Sequence, residues 1–334
     1  MLLAAGRSTR LGALGERLPK PLAPVCGYPP LQFGLAALVR AGLPEVVVNL
    51  HHHGEMIRDA LGDGSAFGAR VAYSPETDLL GTGGGLALAR PLFRDGDGGG
   101  AVLVMNGKVV ADVDLGAVVA AHQASGAAAT LVLRDDPDAR TWGPIAADET
   151  GRIVSILGVT GPVPPVGVVV ERMFTGIQIV GPPILDRLRP VFCDTVRDGY
   201  IPALLEGADL RAFVFNGYFA EHSTPERYLA GNLALLRDPA LVRFPPGPLR
   251  GVDEAAWVDF TARLVGPVRI ATGALIGAGA VVGPDVVVGA GATIGAGVHV
   301  SRAVLWPGVI VERDAASVVI TPDGAVAIAD DGAV

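Results

Sequence analysis

Lysine is nearly absent from this chain. Of its 26 basic residues only Lys20 and Lys108 are lysines, and the other 24 are arginines. Lysine carries a compact charge with three rotatable donors, whereas the arginine guanidinium is a rigid planar fork. A sequence that uses arginine almost everywhere is expected to keep lysine only where a guanidinium does not serve. Both lysines are therefore candidates for a functional site.

Cysteine is also scarce, and long apolar runs are missing. Cys26 and Cys193 are isolated from each other and form no metal-binding or redox spacing, which favours a reducing cytoplasm. No apolar run approaches the roughly 20 residues of a membrane-spanning helix. The net charge is −8 and no basic run occurs, which argues against a nucleic acid as partner.

The composition indicates a well-buried protein of two domains. The chain has 334 residues, of which 50% are hydrophobic and 18% charged, and its mean hydropathy is +0.45. Residues 1–240 alternate short apolar runs with helical patterns. Strands are predicted over 2–5, 46–50, 70–74, 101–106 and 128–134, with helices around 30–41, 55–61, 85–92, 115–124 and 226–236. This alternation predicts a Rossmann-like, mostly parallel sheet, with ligands bound beyond the carboxyl ends of its strands.

The C-terminal part follows a different rule. A large side chain recurs every six residues at Ile270, Ile276, Val282, Val288, Ile294, Val300 and Trp306. Glycine often follows it, and a small residue often lies two positions before it. This period predicts a parallel β-helix whose large side chains stack inward. We therefore predict a domain over residues 1–240 and a β-helix domain over residues 250–320.

A polar loop near the N-terminus has the features of a phosphate site. Gly6 ends an apolar strand, and a glycine lets backbone N–H groups approach a phosphate closely. Arg10 and Lys20 follow, and both are suited to neutralise a phosphoryl group during transfer. The spacing matches neither a P-loop nor a dinucleotide fingerprint.

These segments resemble the sugar-1-phosphate nucleotidyltransferases. The resemblance rests on LAAGRSTRL and PKPL near the N-terminus, and on LGTGG (80–84), NG (106–107), FTG (174–176) and TPERYL (224–229). It covers about the first 240 residues, and the hexapeptide tail is similar to that of mannose-1-phosphate guanylyltransferases. The family reaction joins an NTP and a sugar-1-phosphate into an NDP-sugar and releases pyrophosphate.

The resemblance also implies roles for individual residues. The nucleotide would be held by Ala4, Ala5, Gly6, Arg7, Ser8, Thr9, Gly81 and Thr82. The sugar would be held by Gly143, Thr175 and Gly176. Arg10 and Lys20 would stabilise the transition state. In an alternative, structural interpretation, glycines 81–85 form only the entry turn of a helix, and this alternative stays open.

The sequence departs from the family at the metal site. The family carries aspartate after NG, where it binds Mg²⁺, and this chain has Lys108 there. The family's second metal-binding aspartate corresponds to Glu221. In one interpretation Lys108 is catalytic and either replaces the Mg²⁺ or weakens its binding. Lys108 then pairs with Glu221, which is the remaining candidate for a metal ligand. In the other, the chain is an impaired, nucleotide-sugar-binding regulatory subunit. Asp112 and Asp114 are either displaced ligands or, in the simpler interpretation, a turn former and a helix N-cap.

The predicted activity is nucleotidyl transfer, with GTP and mannose-1-phosphate as first choice because of the tail. UTP with an amino-sugar-1-phosphate is the second alternative. The predicted partners are these substrates and further copies of the chain through the β-helix, with neither nucleic acid nor membrane. His222, beside Glu221, either tunes that site or packs in the core.

Overall fold

The computed structural model describes residues 1–6, 18–93, 100–137 and 139–329, with the side chain of Trp142 left out. The strands up to residue 221 are β1 (Leu2–Leu3), β2 (Glu45–Leu50), β3 (Arg70–Pro75), β4 (Val102–Asn106), β5 (Val109–Ala111), β6 (Ala129–Arg134), β7 (Ile145–Ala147), β8 (Ile153–Ile156), β9 (Val159–Thr160), β10 (Val170–Val180), β11 (Leu210–Val214) and β12 (Phe219–Glu221). The α-helices are α1 (Pro30–Arg40), α2 (Gly54–Leu61), α3 (Gly81–Ala89), α4 (Leu115–Ser125), α5 (Ala139–Trp142), α6 (Pro182–Leu185), α7 (Ile201–Leu205) and α8 (Pro225–Arg237).

The later strands are short and follow one another closely. They are β13 (Gly251–Val252), β14 (Trp257–Val258), β15 (Arg263–Leu264), β16 (Val268–Ile270), β17 (Leu275–Ile276), β18 (Val281–Val282), β19 (Val286–Val288), β20 (Thr293–Ile294), β21 (His299–Leu305), β22 (Ile310–Val311), β23 (Ala315–Thr321) and β24 (Gly324–Ala327). Turns of 3-10 helix lie at Lys20–Leu22, Ser65–Phe67, Arg90–Leu92 and Pro239–Leu241, and a turn of π-helix at Thr195–Tyr200.

The chain forms two compact units. The sheet unit contains the described parts of residues 1–6, 37–107 and 113–219. The coil unit contains the described parts of 7–36, 108–112 and 220–334. The boundary predicted between residues 240 and 250 stays a prediction.

The sheet unit is built on four parallel strands in the order β3–β2–β1–β4. β2 is rich in valine and almost wholly buried, as expected for a central parallel strand. β10 continues the sheet antiparallel to β4, and it also pairs antiparallel with β6 and β7. The predicted Rossmann-like α/β fold is confirmed, with an antiparallel extension that the alternation of apolar runs did not reveal.

Two predicted helices show how local sequence sets helix starts. α8 begins at Pro225, and the hydroxyl of its N-cap Thr224 accepts a hydrogen bond from the Arg227 N–H. α3 begins at Gly81 rather than near Gly85. Glycines 81–85 therefore form the first turns of α3, and the nucleotide-binding role of Gly81 and Thr82 stays a prediction.

The coil unit contains a parallel β-helix. The seven predicted large side chains are all buried, and Trp306, at 7%, is the most exposed of them. Ile270 pairs with Val288, and Ile276 pairs with Ile294. Both spacings are 18 residues, so three six-residue steps make one turn of the coil. The antiparallel strand β24 pairs with β23 after the last turn.

Helix α8 packs on this β-helix through a buried polar chain. The Trp306 indole N–H donates to the Tyr228 hydroxyl at 3.0 Å, and that hydroxyl donates to the Pro24 carbonyl. The Asn232 side-chain oxygen accepts from the Cys26 N–H at 2.8 Å. Burial raises the pKa of the Cys26 thiol to about 12. No helix among the described residues has the length and hydrophobicity of a membrane span.

Candidate active site

The four parallel strands of the sheet unit end at one edge. Because β1 lies between β2 and β4, Leu3 is paired with both Asn49 and Asn106. The segment Ala4–Gly6 leaves the sheet at this edge, as do His51 after β2 and Glu76 after β3. The carboxyl edge of parallel strands is where α/β proteins bind ligands.

A buried amide fixes the start of the N-terminal loop. The Ala4 N–H donates to the Asn49 side-chain oxygen at 2.7 Å, and the Asn49 amide donates to Glu76 Oε1 at 2.7 Å. Both side chains are buried. Since a buried polar group without its partner is costly, these bonds hold the backbone of Ala4 in one position.

The same carboxylate fixes the start of helix α3. Glu76 Oε2 accepts from the Leu80 N–H at 3.0 Å, directly before the helix begins at Gly81. A Cβ at Gly85 would lie 2.7 Å from Glu76 Oε1 and 2.9 Å from the Asn49 amide nitrogen. Glycine is therefore required at position 85. We call Asn49, Glu76 and Gly85 the Asn49–Glu76 cluster.

Sequence reasoning missed Glu76. A carboxylate directly after an alternating strand, at the edge where ligands bind, was the available signal. Asn49 was noted only as part of a matching segment. The cluster ties together the two loops that were predicted to bind the nucleotide.

The predicted nucleotide-binding residues differ in burial and in hydrogen bonding, and some lie outside the described residues. Ala4 and Ala5 are buried, and Gly6 is exposed. The Thr82 hydroxyl donates to Asp194 Oδ2 at 3.0 Å and accepts from the Thr195 N–H at 2.9 Å, so its side chain ties α3 to a neighbouring segment. Arg7, Ser8, Thr9 and Arg10 lie outside the described residues.

Two of the three predicted sugar-binding residues, Thr175 and Gly176, lie on β10. Thr175 and Gly176 lie where the pairing of β10 with β6 shifts register. The buried Thr175 hydroxyl donates to the Val132 carbonyl at 2.8 Å, so its side chain is engaged in the sheet. Gly176 has φ +75° and faces the Asn106 amide so closely that a Cβ would collide with it. Gly143 lies two residues before β7, and β7 pairs with the start of β10.

Lys20 and Lys108 lie in the coil unit. Lys20 opens the 3-10 turn Lys20–Leu22 and is buried, with 7% of its surface exposed. Lys108 lies between β4 and β5, and β5 pairs with β12, which ends at Glu221. Lys108 Nζ and Glu221 Oε1 are 2.5 Å apart, an ion pair as predicted. The two side chains are 25% and 20% exposed.

The residues present do not fit the Mg²⁺ ion that the family resemblance implies. A charged ammonium cannot ligate a cation, and Glu221 is engaged with it. Asp112 accepts from the backbone and side chain of Arg243, and Asp114 caps α4 by accepting from the Ala117 N–H. In the described part of the chain no group of three or more His, Cys, Asp or Glu residues is placed to hold a metal.

His222 packs in the core beside this pair. It is fully buried, contacts Gly231 and meets Tyr228 edge to face, with ring centroids 6.1 Å apart. Burial lowers its pKa to about 4, so the ring is neutral at pH 7. The packing interpretation of His222 is the one the structure supports.

Comparisons with known proteins agree with this architecture. Residues 1–157 match the family model described as nucleotidyl transferase, and residues 267–302 match that of the bacterial transferase hexapeptide with six repeats. The solved structure of HddC from Yersinia pseudotuberculosis shares the fold, with a TM-score of 0.55 and 21% identity. It covers 70% of this chain and 97% of that chain.

Curated relatives identify the family. The mannose-1-phosphate guanylyltransferase of Mycobacterium tuberculosis is 30% identical over 82% of this chain and 75% of the relative. The N-acetylmuramate alpha-1-phosphate uridylyltransferase of Neisseria meningitidis is 48% identical over 34% of this chain and 48% of the relative. The fold is thus a nucleotidyltransferase domain followed by a left-handed β-helix. The chain belongs to the sugar-1-phosphate nucleotidyltransferase family.

Proposed function

We propose that this chain transfers a guanylyl group from GTP to mannose-1-phosphate, which gives GDP-mannose and pyrophosphate. The observation that carries the proposal is the Asn49–Glu76 cluster, which fixes both Ala4 and the start of α3. Two fixed backbone segments at the carboxyl edge of a parallel sheet form a preorganised frame for a nucleotide. Preorganised donors stabilise a phosphoryl group in transfer without rearranging during the reaction.

The roles proposed for individual residues follow the family reaction. Backbone N–H groups of residues 5–9 and of Gly81 and Thr82 bind the nucleotide, whereas Ala4, whose N–H is held by Asn49, contributes the shape of the loop. Arg10 and Lys20 neutralise charge on the transferring phosphate, and Gly143, Thr175 and Gly176 shape the sugar pocket. Thr82 and Thr175 contribute backbone or shape, because their hydroxyls are already hydrogen-bonded within the sheet unit.

The choice of GTP and mannose-1-phosphate is supported by a likeness that extends over most of the chain. A uridylyltransferase that acts on an amino-sugar-1-phosphate is the second candidate. It is supported by the higher identity of the shorter match. A regulatory, nucleotide-sugar-binding role is the third, and it is motivated by lysine at position 108.

A pyrophosphate-release screen over four NTPs and several sugar-1-phosphates tests all three. We expect GTP with mannose-1-phosphate to give the highest rate, at least about tenfold above other pairs, since one well-placed hydrogen-bond set discriminates bases strongly. Highest activity with UTP and an amino-sugar-1-phosphate would establish the second candidate. Nucleotide binding without pyrophosphate release from any pair would establish the third.

We propose that the chain self-associates through its β-helix. Trp257, Leu275 and Ile310 project outward from the sheet β14–β17–β20–β22 and are 55%, 46% and 68% exposed. With the half-buried Thr293 between Leu275 and Ile310, they form a mostly apolar row that suits a second copy of the same surface. Light scattering of the chain and of Leu275→Lys checks this, and an unchanged mass for the variant contradicts it. The predicted cytoplasmic location stays a prediction.

A further inference from the structure

We infer that the Lys108 ammonium, held by Glu221, replaces the divalent cation of the reaction, so that this chain transfers nucleotidyl groups without a metal at that position. The inference rests on the proposed function and concerns how the transfer is catalysed. It goes beyond the family likeness, because the family places a carboxylate where this chain has Lys108.

The geometry places the ammonium where it is both fixed and accessible. Strand pairing of β5 with β12 brings Lys108 and Glu221 together across 113 residues of sequence, and their charged atoms are 2.5 Å apart. Each side chain keeps about a fifth to a quarter of its surface exposed. Glu221 occupies one of the three donors of the ammonium, and the others can serve phosphate oxygens.

The family's metal site and the Lys108–Glu221 pair carry the same net charge. Two carboxylates and a divalent cation sum to zero, and so do one ammonium and one carboxylate. The exchange of aspartate for lysine therefore changes the source of the positive charge without changing the local net charge. A metal ligand lost at random would leave the negative charge of Glu221 uncompensated. In the Lys108–Glu221 pair that charge is compensated by the ammonium.

The described groups near Lys108 and Glu221 offer no alternative metal site. Asp112 is bound by Arg243, Asp114 caps a helix, and His222 is fully buried against Gly231. A divalent cation prefers several oxygen ligands with little competition from fixed cations. Among the described residues no such set is present.

The chemical step is compatible with an ammonium. An oxygen of the sugar-1-phosphate forms a bond to the α-phosphorus of the NTP, while the bond from that phosphorus to the oxygen bridging to the β-phosphate breaks. The electron pair of the broken bond leaves with pyrophosphate. The attacking oxygen is already anionic, so no base is needed. Lys108 keeps its proton and offsets the negative charge by hydrogen bonding, as lysines do in other phosphoryl transfers.

The first test measures pyrophosphate release by the whole chain in EDTA and in Mg²⁺. We expect the unmodified chain to keep its rate in EDTA to within about threefold. We expect Lys108→Asp to lose at least about a hundredfold in EDTA, as when one transition-state donor is removed, and to recover with Mg²⁺. Lys108→Met, which restores no ligand, should stay slow in both conditions.

A matched control is Arg70→Asp. It replaces the cation of an exposed ion pair, with Glu45, at the amino ends of β2 and β3 and outside the proposed site. We expect it to behave as the unmodified chain in EDTA and in Mg²⁺. Loss of the unmodified chain's activity in EDTA, with recovery in Mg²⁺, overturns the inference and leaves the proposed function intact.

A second test needs no turnover. Mn²⁺ binding, followed by electron paramagnetic resonance without nucleotide, should tighten at least about tenfold in Lys108→Asp, which offers a carboxylate pair. Equal Mn²⁺ affinity in the unmodified chain and in Lys108→Asp overturns the inference. If no substrate pair yields pyrophosphate, the proposed function fails, and the Mn²⁺ titration still decides whether lysine has closed the metal site.

Discussion

Two glutamates of this molecule have opposite surroundings. Glu76 in the sheet unit is 6% exposed, and its side-chain oxygens accept from neutral donors, the Asn49 amide and the Leu80 N–H. Glu221 in the coil unit is 20% exposed and is bound to an ammonium. Neutral donors around a buried carboxylate fix backbone, whereas an accessible ion pair keeps a charge available. The first glutamate thus supports the fold of the sheet unit, and the second holds the cation to which we attribute a catalytic role.

The largest effect on stability should follow from removing the buried glutamate, Glu76. Glu76→Ala leaves the Asn49 amide and the Leu80 N–H without their acceptor and removes buried atoms. We expect the free energy of unfolding to fall by about 2–4 kcal/mol, measured by urea denaturation, together with loss of turnover. Glu55→Ala, at an exposed position of α2, is the control and should change it by less than about 0.5 kcal/mol. Equal stability of the two variants would contradict a supporting role for Glu76.

A smaller and different effect should follow at the accessible glutamate. Glu221→Gln keeps the shape but leaves the Lys108 ammonium without its carboxylate. We expect kcat to fall about tenfold with KM little changed, because a group that acts in the transition state loses its positioning. The free energy of unfolding should change by less than about 1 kcal/mol, since the ion pair is partly solvated. A stability loss as large as that of Glu76→Ala would remove the distinction between the two glutamates.

The close packing of the buried cluster can be tested without removing any polar group. Gly85→Ala places a Cβ against Glu76 and Asn49. We expect a loss of about 1–3 kcal/mol in the free energy of unfolding, as in other overpacked sites. Gly116→Ala, at an exposed position of α4 where a Cβ would lie 3.3 Å from Asp114 Oδ1, is the matched control, and it should change the free energy of unfolding by less than about 1 kcal/mol.

Each unit contains one cysteine, so thiol labelling can follow the two units separately without any substitution. Burial raises the pKa of Cys26 to about 12, so at pH 8 it has about a thousandfold less thiolate than a thiol of ordinary pKa. Cys193 in the sheet unit is partly exposed. We expect a disulfide reagent to label Cys193 in the native protein and Cys26 only on unfolding. In Glu76→Ala, faster labelling of Cys193 alone would place the damage in the sheet unit, and equal acceleration at Cys26 would contradict this.

The β-helix was predictable because its rule is local. From Ile270 to Val300 each inward side chain lies six residues from the next and is buried, and the phase then shifts by one residue, because Leu305 rather than Trp306 pairs with Val288. The cap and the first proline of α8 were predictable for the same reason, since Thr224 and Pro225 act within one helical turn. The alternation of strands and helices also gave the four parallel strands. The antiparallel β10 escaped because a register shift at Thr175 and Gly176 interrupts its pattern.

The candidate site was only half predictable. Asn49 and Glu76 are 27 residues apart and meet only because β2 and β3 pair in one particular register. The local sequence marks Glu76 only as a carboxylate after a strand, and not as the shared acceptor of the Asn49 amide and the Leu80 N–H. The Lys108–Glu221 pair was predictable because family resemblance assigned both positions to one site. Resemblance also assigned ligand roles to Thr82 and Thr175, but the hydroxyls of both are engaged within the sheet unit. Their contribution to substrate binding stays a prediction.

The polar chain from Trp306 through Tyr228 to Pro24 has an optical consequence. Pro24 lies four residues after Lys20, whereas Trp306 is a buried fluorophore between the β-helix and α8. A displacement of the Lys20 turn by a bound phosphate would alter the hydrogen bond to the indole and hence its emission. The exposed Trp257 emits at longer wavelength and serves as an internal reference. The molecule therefore contains its own label-free signal for substrate titration.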